Sequence, residues 1–223
     1  MEKTAGIIEE LLAGTRFFRE GYHRENSVLY GALGNHGQSP SVMFVSCSDS
    51  RYDPDRITCS KPGMLYVLRV TGAIVPPREI YTRNLPIAAA LEHGVVHLGV
   101  SHIVVCGHSD CGAAKLAANF AQHSGAGATE EGGELSQWIE IISAAPKRAS
   151  DRIAARGIME APVDFAKTCE EELVKISLEN LMTYPAIADR AARGALELHG
   201  WWFDIASGDI CVLNNNSGNF EAA

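Results

Sequence analysis

Short apolar runs alternate along the chain with longer segments in which apolar residues recur at helical spacing. The runs at 42–46, 64–70 and 102–106 have the length and β-branched content of buried strands, and Gly107 is expected to end the third. Pro62 and Gly63 precede the second run as turn residues. Buried strands alternating with helices favour a parallel sheet that is covered on both faces.

Helical spacing dominates the segments around these strands. Residues 1–30 are predicted to be helical because Ile7, Ile8, Leu11 and Leu12 recur on one face. Further helices are predicted at 85–98, 113–122, 135–147, 169–182 and 185–193. A loop rich in Gly, Ala and Glu is predicted at 123–134.

The end of the chain reads as a hairpin. Segments 195–205 and 209–213 both have strand character, and Ser207-Gly208 lies between them as a turn. The sequence therefore predicts an α/β fold with a mostly parallel central sheet, flanking helices and a C-terminal hairpin. No linker or repeat divides the chain, so a single domain over 1–223 is the economical interpretation.

Composition and charge narrow the class of protein. The 223 residues are 46% hydrophobic and 21% charged, which is typical of a soluble globular chain. The net charge of −8, without a Lys/Arg cluster, argues against nucleic-acid or anionic-membrane partners. No apolar run approaches the ~20 residues of a membrane span, and no signal-peptide pattern opens the chain, so a cytoplasmic location is expected.

Six cysteines raise the choice between disulfides, free thiols and metal ligands. They are Cys47, Cys59, Cys106, Cys111, Cys169 and Cys211. In a chain of this length without a signal peptide, reduced thiols or metal ligands are favoured over disulfides. No Cys-x-x-Cys is present, which weakens a redox interpretation.

Two short segments carry candidate metal chemistry. Cys47 follows the first predicted strand, and His108 and Cys111 follow the third. Taken singly, each residue has a simpler interpretation as a packed small residue or a helix cap. The carboxyl ends of parallel strands meet at one rim of a sheet, however, where the three would form a soft donor set that suits Zn²⁺. Three protein ligands leave a fourth position for water, as in catalytic zinc sites.

Asp49 and Arg51 stand beside the first of these ligands. Asp49 could accept a hydrogen bond from a metal-bound water, and Arg51 could hold the carboxylate bidentately and keep it ionised. The same carboxylate could instead bind the zinc directly and block the fourth position. An ordinary turn salt bridge is the simpler interpretation of the pair alone.

At these residues the chain resembles the β-class carbonic anhydrases. The family's marks are Cys-x-Asp-Ser-Arg, present at 47–51, and His-x-x-Cys, present at 108–111. Gln38-Ser-Pro40 resembles the plant-like branch of the family, and Val75-Pro-Pro77, Gly112 and the His199–Asp204 tail add to the likeness, which covers about residues 5–215.

The resemblance implies a zinc enzyme that reversibly hydrates carbon dioxide to bicarbonate by attack of zinc-bound hydroxide. It implies an obligate homodimer, possibly a tetramer, in which residues 1–30 form a helical arm that packs on the partner subunit. Gln38 would reach the partner's zinc pocket and hydrogen-bond the substrate there. Without the resemblance, Gln38 would be interpreted as a solvated turn residue.

The chain also departs from the family pattern in the Val70–Ala73 loop, where Val70 and Ala73 replace two usual asparagines. Tyr66, Thr71, His93 and Gly112 are assigned by the resemblance to the substrate pocket. His93 is either a proton shuttle or an ordinary helix histidine. The altered loop leaves hydrolysis of carbonyl sulfide or carbon disulfide as an alternative activity, and a non-catalytic, zinc-stabilised assembly protein as an alternative class.

Overall fold

A computed structural model describes residues 2–83, 85–122, 133–155 and 164–223. Residues 123–132 of the predicted loop lie outside these ranges. The chain forms two compact units, Met1–Ser39 and Pro40–Ala223, which are described separately. The single domain over 1–223 that the sequence indicates stays a prediction.

The first unit is helical, as predicted. Helix α1 spans Glu2–Phe18, a π-helical turn covers Arg19–His23, and helix α2 spans Ser27–His36. Gly37, at φ 75°, ends α2 in a conformation that favours glycine. Aromatic rings from the turn and from α2 pack together, with the His23 and Tyr30 rings stacked at a centroid distance of 4.6 Å.

The second unit is built on a six-stranded sheet. Its strands are β1 (Val42–Ser46), β2 (Leu65–Arg69), β3 (His102–His108), β4 (Glu197–Phe203), β5 (Ile210–Asn214) and β6 (Asn219–Ala222). The order is β2-β1-β3-β4-β5-β6. The first four strands in this order are parallel to one another, β5 is antiparallel to β4, and β6 is antiparallel to β5. The predicted mostly parallel sheet with a terminal hairpin is therefore confirmed.

Two strand predictions were wrong in detail. β3 does not end at Gly107 but continues through His108, because the backbone of Gly107 and His108 still pairs with β4. Strand β6 was not predicted, because its four residues include only one large apolar side chain, Phe220, in a polar stretch. Both errors arise where strand pairing, rather than hydrophobicity, sets the boundary.

Seven helices are described in this unit: α3 (Pro54–Thr58), α4 (Leu85–Glu92), α5 (Gly112–Gln122), α6 (Glu134–Glu140), α7 (Ala145–Ala155), α8 (Phe165–Leu181) and α9 (Pro185–Ala192). The single helix predicted at 135–147 is wrong, since turns at 141–144 divide it. α8 begins four residues earlier than predicted because the Asp164 side chain caps it. The predicted helix at 85–98 ends as a π-helical turn, His93–His97.

The unpredicted helix α3 follows β1 immediately. The Asp53 carboxylate accepts hydrogen bonds from the backbone N–H groups of Asp55 and Arg56, and Pro54 occupies the first turn. None of the described helices is long and apolar enough to cross a membrane.

Alternate strand residues bury on opposite faces of the sheet. Met43 and Val45 pack with α4 and α9, whereas Phe44 and Cys106 belong to a cluster that continues into α5, α6 and α7. Helix α8 contributes to both clusters. Both faces of β1 and β3 are consequently buried, which explains their near-continuous apolar sequence.

Helix α8 lies close against β3 because Gly107 has no side chain. A Cβ atom at this position would lie 2.8 Å from Val174 Cγ2 and 3.5 Å from the Glu170 carbonyl oxygen. The first distance is too short for a real contact. The close approach places the middle of α8 beside the end of β3.

Replacing this glycine tests the close packing. We expect Gly107→Ala to lower the free energy of unfolding by about 1–3 kcal/mol, because the added methyl overpacks a close-packed interior. Denaturant unfolding at fixed protein concentration measures the change. The double variant Gly107→Ala/Val174→Ala makes room for the methyl, so it should lose less than the sum of the single variants. Strict additivity would contradict the packing explanation.

Candidate metal centre

Two neighbouring strands bring three ligand-type side chains together. Cys47 directly follows β1, His108 ends β3, and Cys111 precedes α5. Strands β1 and β3 are parallel, with Ser46 opposite Cys106, so Cys47 and His108 emerge at the same sheet edge. Their ligand atoms and Cys111 Sγ all lie within 4.8 Å of one another, and all three residues are buried. The predicted ligand triad is therefore assembled in the structure.

The His108 imidazole is oriented to offer one nitrogen to this group. Its Nδ1 donates to the carbonyl oxygen of Ser109 at 2.9 Å, and its buried Nε2 has no hydrogen-bond partner. The bond at Nδ1 fixes the tautomer that leaves a lone pair on Nε2. A buried nitrogen without a partner is costly unless it binds a cation, so this atom fits a metal ligand.

The side chains of the two cysteines are joined by a hydrogen bond. The hydrogen bond from the Cys111 thiol lowers the pKa of Cys47, and the same bond together with burial raises the pKa of Cys111. The backbone N–H of Gly72 also donates to Cys47 Sγ at 3.2 Å. Two cysteine sulfurs and one imidazole nitrogen form a suitable donor set for a soft divalent cation.

Tyr52 supports the ligands from behind, a role that sequence reasoning missed. Its hydroxyl accepts from the backbone N–H of Cys47 at 3.0 Å and donates to the carbonyl oxygen of Cys106 at 3.0 Å. Its ring packs against His108 at a centroid distance of 5.2 Å. A tyrosine directly after the Cys-x-Asp-Ser-Arg motif was the available signal.

Arg69, at the end of β2, holds the segment that follows Cys47. Its guanidinium donates to the carbonyl oxygens of Cys47 at 3.1 Å, Asp49 at 2.6 Å and Tyr52 at 3.1 Å. One side chain thus fixes three carbonyl groups of the loop. Sequence reasoning did not find this contact, because the path of the loop was not predictable.

Asp49 and Arg51 form the bidentate pair that the sequence suggested. Arg51 Nε donates to Asp49 Oδ1 at 2.9 Å and Nη2 donates to Oδ2 at 2.8 Å. These hydrogen bonds are the main reason that the pKa of Asp49 lies well below its usual range. Asp49 Oδ2 also lies 3.9 Å from His108 Nε2, so an ionised carboxylate stands beside the ligand triad.

Arg51 also binds the loop that carries the other two ligands. Its Nη1 donates to Asp110 Oδ2 at 2.7 Å, and Nη2 donates to the Asp110 carbonyl oxygen at 3.0 Å. Asp110 has a positive φ of 62°, and Lys115 pairs with its carboxylate. The variable position of the His-x-x-Cys motif therefore joins the two ligand loops, which sequence reasoning did not anticipate.

Glu170 is a buried carboxylate behind Cys111. Its Oε1 accepts from the Cys111 backbone N–H at 3.0 Å and its Oε2 accepts from Trp202 Nε1 at 3.0 Å. Burial raises the pKa of Glu170. This residue was missed because it lies in an ordinary-looking helix, 59 positions beyond Cys111.

The remaining predicted pocket residues are more dispersed. Thr71 is exposed, and its carbonyl oxygen accepts from Trp138 Nε1 at 2.9 Å. Gly112 begins α5, with no atom within 4 Å of where a Cβ would stand. Tyr66 and His93 contact each other at a ring distance of 5.8 Å, on the side of the sheet where Met43 packs. Gln38 is exposed in the other compact unit.

The atypical loop after β2 is anchored by α8. The Ser177 hydroxyl accepts from the Val75 backbone N–H and donates to the Ala73 carbonyl oxygen, and Asn180 Nδ2 donates to the Val75 carbonyl oxygen. Gly72 and Ala73 both have positive φ, 76° and 54°. These bonds hold the loop where the Gly72 N–H reaches Cys47.

A Cys₂His group at the carboxyl ends of adjacent parallel strands defines an α/β protein with a candidate metal centre. Comparison with known proteins extends this class. The carbonic anhydrase family model matches residues 42–210. A carbonic anhydrase of Synechocystis is 36% identical over 96% of this chain and 74% of its own length. One of Helicobacter pylori is 31% identical over 95% of this chain and 93% of its own.

Solved structures agree with the sequence comparisons. The β-carbonic anhydrase CcaA superposes with a TM-score of 0.85 at 34% identity, covering 98% of this chain and 92% of that one. A tetrameric β-carbonic anhydrase of Sordaria macrospora superposes with a TM-score of 0.76 at 29% identity, covering 94% and 98%. The chain belongs to the carbonic anhydrase family, in its β class.

Removing the Tyr52 hydroxyl tests its supporting role. We expect Tyr52→Phe to cost about 1–3 kcal/mol of unfolding free energy, because it leaves a buried N–H and a buried C=O without their partner. Tyr184→Phe is the matched control, since the Tyr184 hydroxyl makes one buried bond, to the Pro76 carbonyl oxygen at 3.0 Å. Denaturant unfolding of both variants should show the larger loss for Tyr52. Equal losses would contradict a special role at the ligands.

Proposed function

We propose that the protein is a zinc enzyme that reversibly hydrates carbon dioxide to bicarbonate and a proton. The observation that carries this proposal is the convergence of Cys47, His108 and Cys111 beside an Asp49 that Arg51 holds ionised. Membership of the β class of carbonic anhydrases supports the same reaction. A purely structural zinc site would normally have a fourth Cys or His ligand.

The donor set favours zinc as the metal. Two sulfur atoms and one imidazole nitrogen suit Zn²⁺ better than the hard cations Mg²⁺ or Ca²⁺, which prefer oxygen ligands. A zinc ion held by the three residues would lower the pKa of a water molecule to ~7, which supplies a hydroxide nucleophile near neutral pH.

Asp49 is proposed to orient the nucleophile. Its carboxylate can only accept hydrogen bonds while it is ionised, and Arg51 keeps it so across the neutral range. Oδ2 is the Asp49 oxygen nearest His108 Nε2, so it is the atom that would accept a hydrogen bond from the water molecule. Arg51 acts through Asp49, as a positioning residue.

Five residues are proposed to form the substrate pocket. Gln38, exposed in the helical unit, is proposed to hydrogen-bond substrate in the pocket of a partner subunit. Thr71 and Gly112 lie in the segments that flank the ligands and are proposed to line the pocket. Tyr66 and His93, whose rings contact each other, are proposed to line it as well. The cytoplasmic location expected from the sequence also stays a prediction.

Self-association is proposed through helix α1. All of its described side chains, over residues 6–18, are exposed, and these include Ile7 at 57%, Leu11 at 62% and Phe17 at 81%. A helix with this much apolar surface in water requires a partner. A second copy of the chain is the proposed partner, and the tetrameric relative from Sordaria supports assembly of this kind.

Turnover tests the activity and the role of Asp49 together. Stopped-flow hydration of carbon dioxide from about pH 6.5 to 9 should show fast turnover that disappears when zinc is removed. We expect Asp49→Ala to reduce turnover at least about 100-fold with zinc content unchanged, because a group that orients the reacting water is lost.

The Arg51→Ala variant tests whether Arg51 lowers the pKa of Asp49. Because Arg51 lowers the pKa of Asp49, its loss should raise that pKa toward the ordinary value of about 3.9, so the carboxylate becomes protonated at a higher pH than in the wild type. Carboxyl NMR on Asp49 measures the change.

The activity assays can also contradict the proposal. If the protein binds stoichiometric zinc and does not hydrate carbon dioxide, but releases sulfide from carbonyl sulfide or carbon disulfide, then the sulfur compound is the substrate instead. Zinc without either reaction would support an assembly role.

A charge on α1 tests the assembly. We expect Leu11→Glu to shift the protein toward monomer, because it places a carboxylate in the proposed apolar contact. Light scattering coupled to gel filtration measures the mass. Glu9→Gln, which changes an exposed charge on the same helix, should leave the mass unchanged. An unchanged oligomer in Leu11→Glu would exclude this face as the contact.

A further inference from the structure

A second group of potential metal ligands lies at the opposite end of β3 from the candidate catalytic centre. In the part of the chain that the structure describes, only two groups bring three His, Cys, Asp or Glu ligand atoms within 4.8 Å of one another. One is the Cys₂His triad; the other is His102, Glu197 and His199. His102 and His108 are six residue steps apart along an extended strand, which is about 20 Å.

Strand register places these three side chains on one face of the sheet. His102 opens β3 and pairs with Glu197, the first residue of β4, while His199 pairs with Val104. His102 and Val104 point to the same face because side chains alternate along a strand, and so do Glu197 and His199. The group is therefore set by hydrogen-bonded backbone rather than by a loop, which makes a site more precise.

The three contacts form a compact triangle. His102 Nδ1 lies 3.1 Å from His199 Nε2, and Glu197 Oε2 lies 3.9 Å from the first nitrogen and 3.8 Å from the second. Bonds of about 2.0–2.1 Å to a tetrahedral ion imply ligand atoms about 3.3–3.4 Å apart. Movements of a few tenths of an ångström would therefore bring all three atoms to bonding distance.

The surroundings leave room for the rest of a coordination shell. Both imidazoles line a cavity of about 240 Å³, together with Phe44 and Trp201. The Glu197 side chain is 66% exposed, so water has access to the group from the carboxylate side. Two imidazoles and one carboxylate are ligands of the kind found in zinc sites that keep an open position.

We propose that His102, Glu197 and His199 form a second metal site, which takes a first-row divalent cation of the zinc type and ties the starts of β3 and β4 together. The site contains no thiolate, which distinguishes it chemically from the Cys₂His centre. An ordinary histidine hydrogen bond flanked by a carboxylate is the competing explanation, and it predicts no metal uptake.

Metal stoichiometry of the zinc-loaded, full-length protein tests the site. Equilibrium dialysis against Zn²⁺ followed by elemental analysis should give two zinc ions per chain in the wild type and one in His199→Ala. Glu197→Gln keeps the side-chain shape and should bind the second ion at least about tenfold more weakly, since loss of even an indirect ligand partner costs that much. Carbon dioxide hydration should be the same in all three proteins.

A matched control and a spectroscopic probe identify the ligands. His97→Ala removes an imidazole from a different contacting histidine pair, His93 and His97, and should retain both zinc ions. Co²⁺ added to protein that has been dialysed down to one zinc ion per chain should give visible ligand-field bands without thiolate charge-transfer absorption. The proposal is overturned if the wild type binds one zinc only, if His199→Ala still binds two, or if the second ion shows thiolate ligation.

Discussion

The parallel pairing of β1 with β3 is the constraint on which the rest of the site depends. It places Cys47 and His108 at the same end of adjacent strands, 61 positions apart in the chain. The glycine at 107 lets α8 approach this end closely, so that Glu170 reaches the backbone of Cys111. The positions of Cys47 and His108 at this end of the sheet, and of Glu170 beside them, therefore follow from the register of the two strands.

Several buried backbone groups around the triad are paired with side chains that lie outside the two ligand motifs. Tyr52, Arg69 and Glu170 each bond to the backbone of a ligand loop, and α8 anchors the loop after β2 through Ser177 and Asn180. Unpaired backbone groups in such an interior would cost about 1–3 kcal/mol each. The preorganisation of the ligands is therefore a property of their surroundings more than of the motifs.

The sequence predicted the parts of the molecule that have strong local signals. The apolar strands indicated the sheet, the helical spacing indicated most of its flanking helices, and the two ligand motifs indicated residues that the structure brings together. Long-range partners were not predictable: Glu170 looks like an ordinary helix residue, and Asp110 occupies a variable motif position. Helix α3 and strand β6 were missed because a capping aspartate and backbone pairing, rather than hydrophobic periodicity, define them.

Arg51 has consequences for how the two ligand loops can move. Its guanidinium is shared between both oxygens of Asp49 and two oxygens of Asp110. Two charge-assisted bonds join Arg51 to the Asp49 carboxylate, so the carboxylate cannot leave the guanidinium without losing both. Displacement of the Asp49 carboxylate would therefore break both of these bonds and leave Arg51 bound to the Asp110 loop alone.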